Sequence, residues 1–289
     1  MMQNLINIVD KKLDEYMPVI YPEEIFRAMK YTVTLPGKRL RPVLCLETTR
    51  MFGGDMQKAL PTACAIEMLH AQSLIHDDLP CMDNDDFRRG KPSNHKVFGE
   101  ANAVLAGDAL LTFAPQLIIE KSDLSPETKL KLVHEFTKWA GAYALIAGQV
   151  VDIASEKGHY EKDPEETLTF IHMNKTAALF RLAIRSGAII AEADENIINA
   201  MDNFAQKFGL AFQIYDDIMD EISTFDEMGK TIGKDKNSEK LTYVSLYGLN
   251  ESKNKFISLI DECYAIINEH QSDIIKGILD KLKSRILGE

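Results

Sequence analysis

Cysteine is scarce in this chain of 289 residues: Cys45, Cys64, Cys81 and Cys263 stand far apart, with no CxxC spacing. That excludes a disulfide framework and a zinc ribbon, and leaves reduced, mostly packed thiols. Positive charge is in deficit as well. A formal net charge of −11 argues against nucleic acid as a partner, because neutralising phosphates needs a basic face. It leaves room for a small anionic ligand in a locally basic cleft. The N-terminal MMQNLINIVDKKLDEY is amphipathic and carries acids early, so it lacks the apolar core of a signal peptide. No apolar stretch reads as a bilayer span, and the expectation is a cytoplasmic protein without stable membrane insertion. Internal repeats, low-complexity tracts and linker-like segments are absent. So are a Walker loop, a Rossmann glycine pattern, a Ser-His-Asp set and the glycine and glutamate spacing of a calcium loop. Strand signals are few: YTVTL (31–35) alternates, but it runs into Pro36-Gly37 and reads as a helix end or loop edge.

Helical periodicity dominates what remains. A helix is expected over 61–76, starting at Pro61, and a nearly all-round apolar one over 101–119, with a kink at Pro115. Ser125-Pro126-Glu127 starts another that continues through TKLKLVHEFTKWAGAYALIAGQVVDIA. Asp163 and Pro164 start the next, to residue 190, and 194–222 and 251–286 give two more. Hydrophobic content is 45%, and the length suits one large domain over 1–289. The polar stretches 85–96 and 226–240 read as loops over a site.

Two acidic clusters stand out, Asp77, Asp78 and Asp83 in DDLPCMD, and Asp216, Asp217 and Asp220 in DDIMD. Each follows an apolar helical run. The carboxyl end of a helix is partly negative, so each acid placed there is disfavoured by up to about 1 kcal/mol. Mutual repulsion adds to this. Asp216 and Asp220, four apart, share a helix face, as do Asp217 and Asp220. Pro80 is expected to bulge the first helix and let Asp83 return toward Asp77. One such pair reads most simply as solvated surface charge. Two, each embedded in apolar sequence, point instead to bound cations. All-oxygen ligands favour Mg²⁺ or Ca²⁺ over zinc, and Mg²⁺ in turn implies a phosphorylated ligand.

Basic islands accompany them: Lys38, Arg39 and Arg41 in GKRLRP, Arg88 and Arg89, Lys175, and Lys230, Lys234, Lys236 and Lys240. Arginine forks and lysine ammonium groups suit diphosphate oxygens. His70 lies about two turns before Asp77 and shares its face, His76 reads as a helix-end histidine, and Gln213 precedes Asp217 by one turn. Two acid clusters with two sets of bases suit two diphosphates. Metal ions would activate one as a leaving group, and apolar helices would shield an allylic cation from water.

With these residues in view, the chain resembles the trans-isoprenyl diphosphate synthases of the bacterial farnesyl and geranylgeranyl type. GKRLRP (37–42), HAQSLIHDDLPCMDNDDFRRGKPSNH (70–95), GDALL (107–111), NKTAALF (174–180), FQIYDDIMD (212–220) and GK…EKLTY (229–243) follow the family's order. The resemblance implies an all-α isoprenoid synthase fold, a helical bundle around a central cavity, and a homodimer. It assigns Asp77, Asp78, Asp83, Asp216 and Asp217 to three Mg²⁺ ions, with Asp220 at the edge of that set and Mn²⁺ as an alternative metal. Arg88, Lys175, Lys230 and Lys240 would contact the allylic diphosphate. Gly37, Lys38, Arg41, His70 and Arg89 would hold isopentenyl diphosphate, and Thr176 and Gln213 would lie near the developing cation.

Two positions depart from the family pattern. Bacterial farnesyl synthases usually carry Tyr five residues before the first Asp, where it limits product length; here that position is Gln72, with Ser73 beside it. Glu239 stands where the family often has Gly. The expected product is farnesyl diphosphate, from dimethylallyl and geranyl diphosphates, with the C20 product as the close alternative. A non-catalytic partner subunit would lack one or both acid clusters. A terpene cyclase would leave GKRLRP and Arg89 without a ligand.

Overall fold

The computed structural model describes residues 2–156, 158, 162–222 and 241–288. Helices begin with α1 (Met2–Tyr16), α2 (Glu23–Val33), α3 (Leu40–Met51) and α4 (Met56–Asp77). A two-residue hairpin, β1 (Phe87–Arg88) against β2 (Lys91–Pro92), is the one sheet among the described residues. There follow α5 (Asn94–Phe98), α6 (Glu100–Lys121), α7 (Pro126–Ala140), α8 (Leu145–Glu156) and α9 (Pro164–Ile171). A π-helical turn, His172–Ala177, leads without a break into α10 (Ala178–Ile190), and then come α11 (Glu195–Ile222), α12 (Tyr243–Asn268) and α13 (Asp273–Leu287). The all-α expectation holds.

Local chemistry explains the boundaries. Ser125 and Asp163 accept from Thr128 N at 3.1 Å and Glu166 N at 3.0 Å, caps worth about 1 kcal/mol each. Three expected boundaries shift. Asp55, accepting from Gln57 N at 2.8 Å, starts α4 five residues before Pro61, which sits inside the helix. The run after Ser125 breaks at Gly141 into α7 and α8. The 251–286 segment divides at 269–272, where Gln271 has φ 53° and Ser272 caps α13.

Buried apolar side chains form one connected cluster from Leu5 to Ile286. In α1 the buried positions are Leu5, Val9 and Leu13, a one-turn repeat. At the centre α4 packs on α6, α3 and α10, and α11 packs on α10 and α12. By length and composition α6 is apolar enough to cross a bilayer, a departure from the expectation. Its buried residues, among them Ala103, Gly107, Leu110 and Ala114, pack in the protein core.

Candidate active site

The first acid cluster sits where α4 stops. The helix does not bulge at Pro80 as expected; it ends at Asp77, and the loop doubles back so that Asp83 N donates to Asp77 O at 2.8 Å. Asp83 therefore does return to Asp77. Asp78 has a different partner: it is 2% exposed and clamped by Arg88, whose Nε is 3.0 Å from Asp78 Oδ1 and whose Nη2 bonds the same oxygen. The hairpin supplies that arginine. Asp77 Oδ1 accepts from Gln149 Nε2 of α8 at 2.7 Å. Burial, reinforced by the charges of Asp83 and Asp78 and opposed by Lys175 and Arg88, raises the Asp77 carboxyl to about 6.

The second cluster occupies the last two turns of α11. Asp217 is 8% exposed; its Oδ1 accepts from Gln213 Nε2 at 3.0 Å and its Oδ2 from Tyr243 N at 2.8 Å. His172 Nε2 lies 3.7 Å from the same Oδ2. Asp216, Asp217 and Asp220 line one cavity of about 200 Å³ with Asp152, Lys175 and Thr176.

Between the two clusters runs the π-helical turn, a widened geometry that recurs at functional sites. It presents Lys175 and Thr176 side by side. Lys175 Nζ donates to Asp152 Oδ2 at 2.5 Å and Thr176 Oγ1 donates to Gln213 Oε1 at 2.6 Å. Glycines grip the turn from both sides. A Cβ at Gly148 of α8 would overlap the backbone of Asn174 and Lys175, and one at Gly209 of α11 would meet Ala177 Cβ at 2.5 Å.

The basic residues separate into two kinds. Arg39, at φ 45°, is 3% exposed and spent internally, on Asp10 and Glu67 at 2.6 Å each and on Leu35 O at 2.8 Å. It is a structural residue of the GKRLRP loop. Arg41 lines the main cavity instead. It lies 4.6 Å over the Phe180 ring, and its Nε has no hydrogen-bond partner. Burial lowers its guanidinium to about 10 against the pull of Glu67 and Asp216. Lys38 is exposed. Arg89 lies against Gly37, where a Cβ would come within 2.8 Å of the guanidinium carbon. The missing side chain makes room for the arginine. Burial and then the charges of Arg41, Arg89, Arg88 and Arg39 hold His70 well below its ordinary range, so the ring is neutral.

A cavity of about 570 Å³ is lined by Arg41, His70, Asp77 and Lys175, and also by Gln72 and Leu111. Lys175 and Thr176 line both it and the acid-lined cavity. Gln72 Nε2 lies 3.1 Å from His76 Nδ1, and His76 Nε2 lies 3.1 Å from Val104 O. A carbonyl only accepts, so Nε2 carries the ring proton and Gln72 donates to Nδ1. His76 thus braces α4 against α6 over Gly107, where a Cβ would overlap the ring; it is more than a helix-end residue. Away from the site, a cleft of about 420 Å³ surrounds the Glu135–Arg185 pair, joined by two bonds of 2.8 Å.

Lys230 and Lys240, like Lys234, Lys236, Glu239 and the 226–240 loop, lie outside the described residues. Sequence reasoning missed Gln149 and Asp152, polar residues one turn apart in the apolar LIAGQVVDIA of α8, and that contrast was the available signal. It also missed Glu67, which carries Arg39 and reaches Arg89 at 3.6 Å, and Tyr243, whose contribution is a backbone N–H.

The donor set fits Mg²⁺ or Mn²⁺. The carboxylates are oxygen-only ligands, and a cation would remove the burial penalty on Asp77. Among the described residues no three acid, histidine or cysteine side chains form a ready-made cage.

Comparison with known proteins agrees with this geometry. The polyprenyl synthetase family model matches residues 22–282. Geranylgeranyl pyrophosphate synthase 7, chloroplastic, of Arabidopsis thaliana is 44% identical over 273 residues, which are 94% of this chain and 79% of that protein. The apo structure of an FPP/GFPP synthase from Zymomonas mobilis aligns with a TM-score of 0.84 at 35% identity, over 99% of this chain and 96% of that one. A geranyltransferase from Helicobacter pylori, complexed with magnesium and isoprenyl diphosphate, gives a TM-score of 0.84 at 30% identity, over 99% and 95%. Fold and site define an all-α enzyme of the isoprenoid synthase fold. The chain belongs to the polyprenyl synthetase family and is a trans-prenyltransferase of the short-chain type.

Proposed function

We propose that the chain condenses isopentenyl diphosphate with allylic diphosphates and carries the product to geranylgeranyl diphosphate. The observation that carries the condensation is the junction at Lys175 and Thr176, which line both the acid-walled and the apolar-walled cavity. An allylic diphosphate would lie with its charged end there and its tail toward Leu111. Asp77, Asp78 and Asp83 on one wall, and Asp216, Asp217 and Asp220 on the other, would hold Mg²⁺. Bound Mg²⁺ supplies Lewis-acid stabilisation of the diphosphate oxygens as they take up charge. Lys175, Arg88, Lys230 and Lys240 contact the same diphosphate. Gly37, Lys38, Arg41, His70 and Arg89 bind isopentenyl diphosphate, and the unpartnered Arg41 Nε is one donor awaiting an oxygen. Thr176 donates its hydroxyl hydrogen bond to Gln213, so its lone pairs can face the allylic cation. Leu145 and Leu179 exclude water from it. The departing diphosphate takes the final proton.

The C20 product is supported by Gln72. Its amide is held toward α6 by His76, in a position where an aromatic ring would shorten the cavity. The 44% identical plant relative is named for the same product. Farnesyl diphosphate, the product expected from sequence, is the second reading, and the Zymomonas enzyme is named for it together with GFPP. The reading includes a cytoplasmic homodimer. Val104 and Leu105 of α6 and Ile146 and Val150 of α8 are 40%, 55%, 48% and 61% exposed, an apolar surface suited to a second copy. The test is incubation with isopentenyl diphosphate, Mg²⁺ and dimethylallyl, geranyl or farnesyl diphosphate, with chain-length analysis of the products. A dominant C20 product is expected. Accumulation of C15 with no use of farnesyl diphosphate overturns the product assignment, and no Mg²⁺-dependent elongation overturns the activity.

A further inference from the structure

Helix α8 carries no residue to which the family resemblance gives a role, yet it reaches both walls of the site. Gln149 donates to Asp77 at 2.7 Å, and Asp152, one turn on, accepts from Lys175 at 2.5 Å. Residues three apart lie on one helix face, so a single face of α8 addresses the first acid cluster and the π-helical turn together. The approach is closer than side chains normally allow. Gly148, next to Gln149, puts α8 directly on the Asn174–Lys175 backbone. Asp152 is 4% exposed in a helix whose neighbouring positions are valine and isoleucine. A buried carboxylate in such a setting is costly unless it is paired.

We propose that Asp152 is a positioning residue for Lys175, fixing its ammonium before the allylic diphosphate arrives. The proposal rests on the reading of Lys175 as a diphosphate contact. A lysine side chain has four rotors and gives up considerable freedom when it is immobilised. Its ammonium has three donors. With one committed to Asp152, the ammonium is held at the wall that both cavities share. Charge aimed in advance at the place where a leaving group becomes more negative lowers the barrier more than it tightens substrate binding. Loss of Asp152 therefore belongs in kcat rather than in KM.

The experiment is a double-mutant cycle on the full-length enzyme, with Asp152→Ala, Lys175→Ala and the double variant. kcat and KM for the allylic diphosphate are measured at saturating Mg²⁺ and isopentenyl diphosphate. Asp152→Ala is expected to lower kcat at least about 10-fold with KM within about 3-fold, and to add less than about 2-fold when Lys175 is already Ala. Asp152→Asn, which keeps the shape and one acceptor oxygen, is expected to recover most of kcat, and it serves as the test should the alanine variant melt early. Equal losses from Asp152→Ala in both backgrounds overturn the proposal, as does an effect confined to KM or an Asn variant no better than Ala. Failure of the wild-type chain to elongate overturns the underlying function instead, so the two are told apart by the control.

Discussion

Asp77 and Asp217 each accept a hydrogen bond from a glutamine amide, at 2.7 Å from Gln149 and 3.0 Å from Gln213. The environments then diverge. Asp77 lies at the stop of α4, among the charges of Asp83 and Asp78, and its carboxyl is raised to about 6. Asp217 has its second oxygen on the Tyr243 N–H, which ties α11 to the start of α12. The first carboxylate is under strain when ionised in the ligand-free protein. The second also serves as a structural joint. The same two letters, DD, thus mark a site that needs a cation and a site that already has part of its charge dispersed by the protein.

Neutralising each aspartate sharpens this contrast. Both Asp77→Asn and Asp217→Asn should lower Mg²⁺-dependent elongation more than about 100-fold, since each removes an anionic ligand. Their melting temperatures should move in opposite directions. Asp77→Asn keeps an acceptor for Gln149 and removes a disfavoured charge, so the ligand-free protein gains about 1–2 kcal/mol at pH 7.5. Asp217→Asn has one acceptor oxygen for two donors, so Gln213 or Tyr243 N loses its partner at about 1–3 kcal/mol. Thermal unfolding without Mg²⁺ measures both, and shifts of the same sign would erase the distinction.

The next largest effect is on pH. The Asp77 carboxyl is pushed up to about 6 in the folded chain, against about 4 for an ordinary aspartate. Between those values the folded state binds more protons than the unfolded one. This group's contribution to ligand-free stability therefore falls as pH rises through that window. Mg²⁺ needs the ionised form. The Mg²⁺ concentration for half-maximal activity should rise by up to about tenfold per unit as pH falls below 6. The rise in melting temperature given by Mg²⁺ with diphosphate should be larger at pH 7.5 than at pH 5. A half-maximal Mg²⁺ concentration flat from pH 7.5 to 5 would show that Asp77 is not the group that limits metal binding.

How much of this could be read from sequence follows the same division. Both clusters, the helical character and the separate basic islands were legible because charge in apolar periodic sequence is conspicuous. The return of Asp83 to Asp77 was legible from Pro80, although the helix ends at Asp77 instead of bulging at the proline. What was hidden depended on tertiary proximity. Nothing local shows that Arg39 turns inward to Asp10 and Glu67 while Arg41, two residues on, faces the cavity; a left-handed φ of 45° at Arg39 decides it. The π-helical turn was hidden too, since Gly148 and Gly209, the glycines that grip it, lie on two other helices. Asp217's tie to Tyr243 is made by a backbone group, which no residue type can announce.

The two glutamines give a smaller, separable effect. Gln149→Leu and Gln213→Leu should each weaken Mg²⁺ activation by about 10-fold, the usual scale for a partner that orients a metal ligand. Gln213→Leu should also lower kcat, because Thr176 loses its acceptor. Gln149→Leu should leave kcat at saturating Mg²⁺ within about 3-fold. Titrating Mg²⁺ for both variants measures the split; identical behaviour would mean that the second cluster's glutamine does nothing beyond what the first does.

The smallest expected change in rate carries the largest change in product. Gln72 is 9% exposed and donates to His76, which is itself fixed by Val104 O over Gly107. A tyrosine there keeps a hydroxyl but cannot lie flat between α4 and α6, because the His76 ring already fills the space above Gly107. The new ring would take up part of the cavity that Gln72 and Leu111 both line, without replacing Arg41 or Lys175 of the same cavity. Gln72→Tyr should therefore shift the dominant product from C20 to C15, with the rate of the first condensation within about 3-fold of wild type, read by chain-length analysis of products from dimethylallyl diphosphate. An unchanged product would mean that the tail ends short of Gln72, and that some other residue of the apolar wall sets its length.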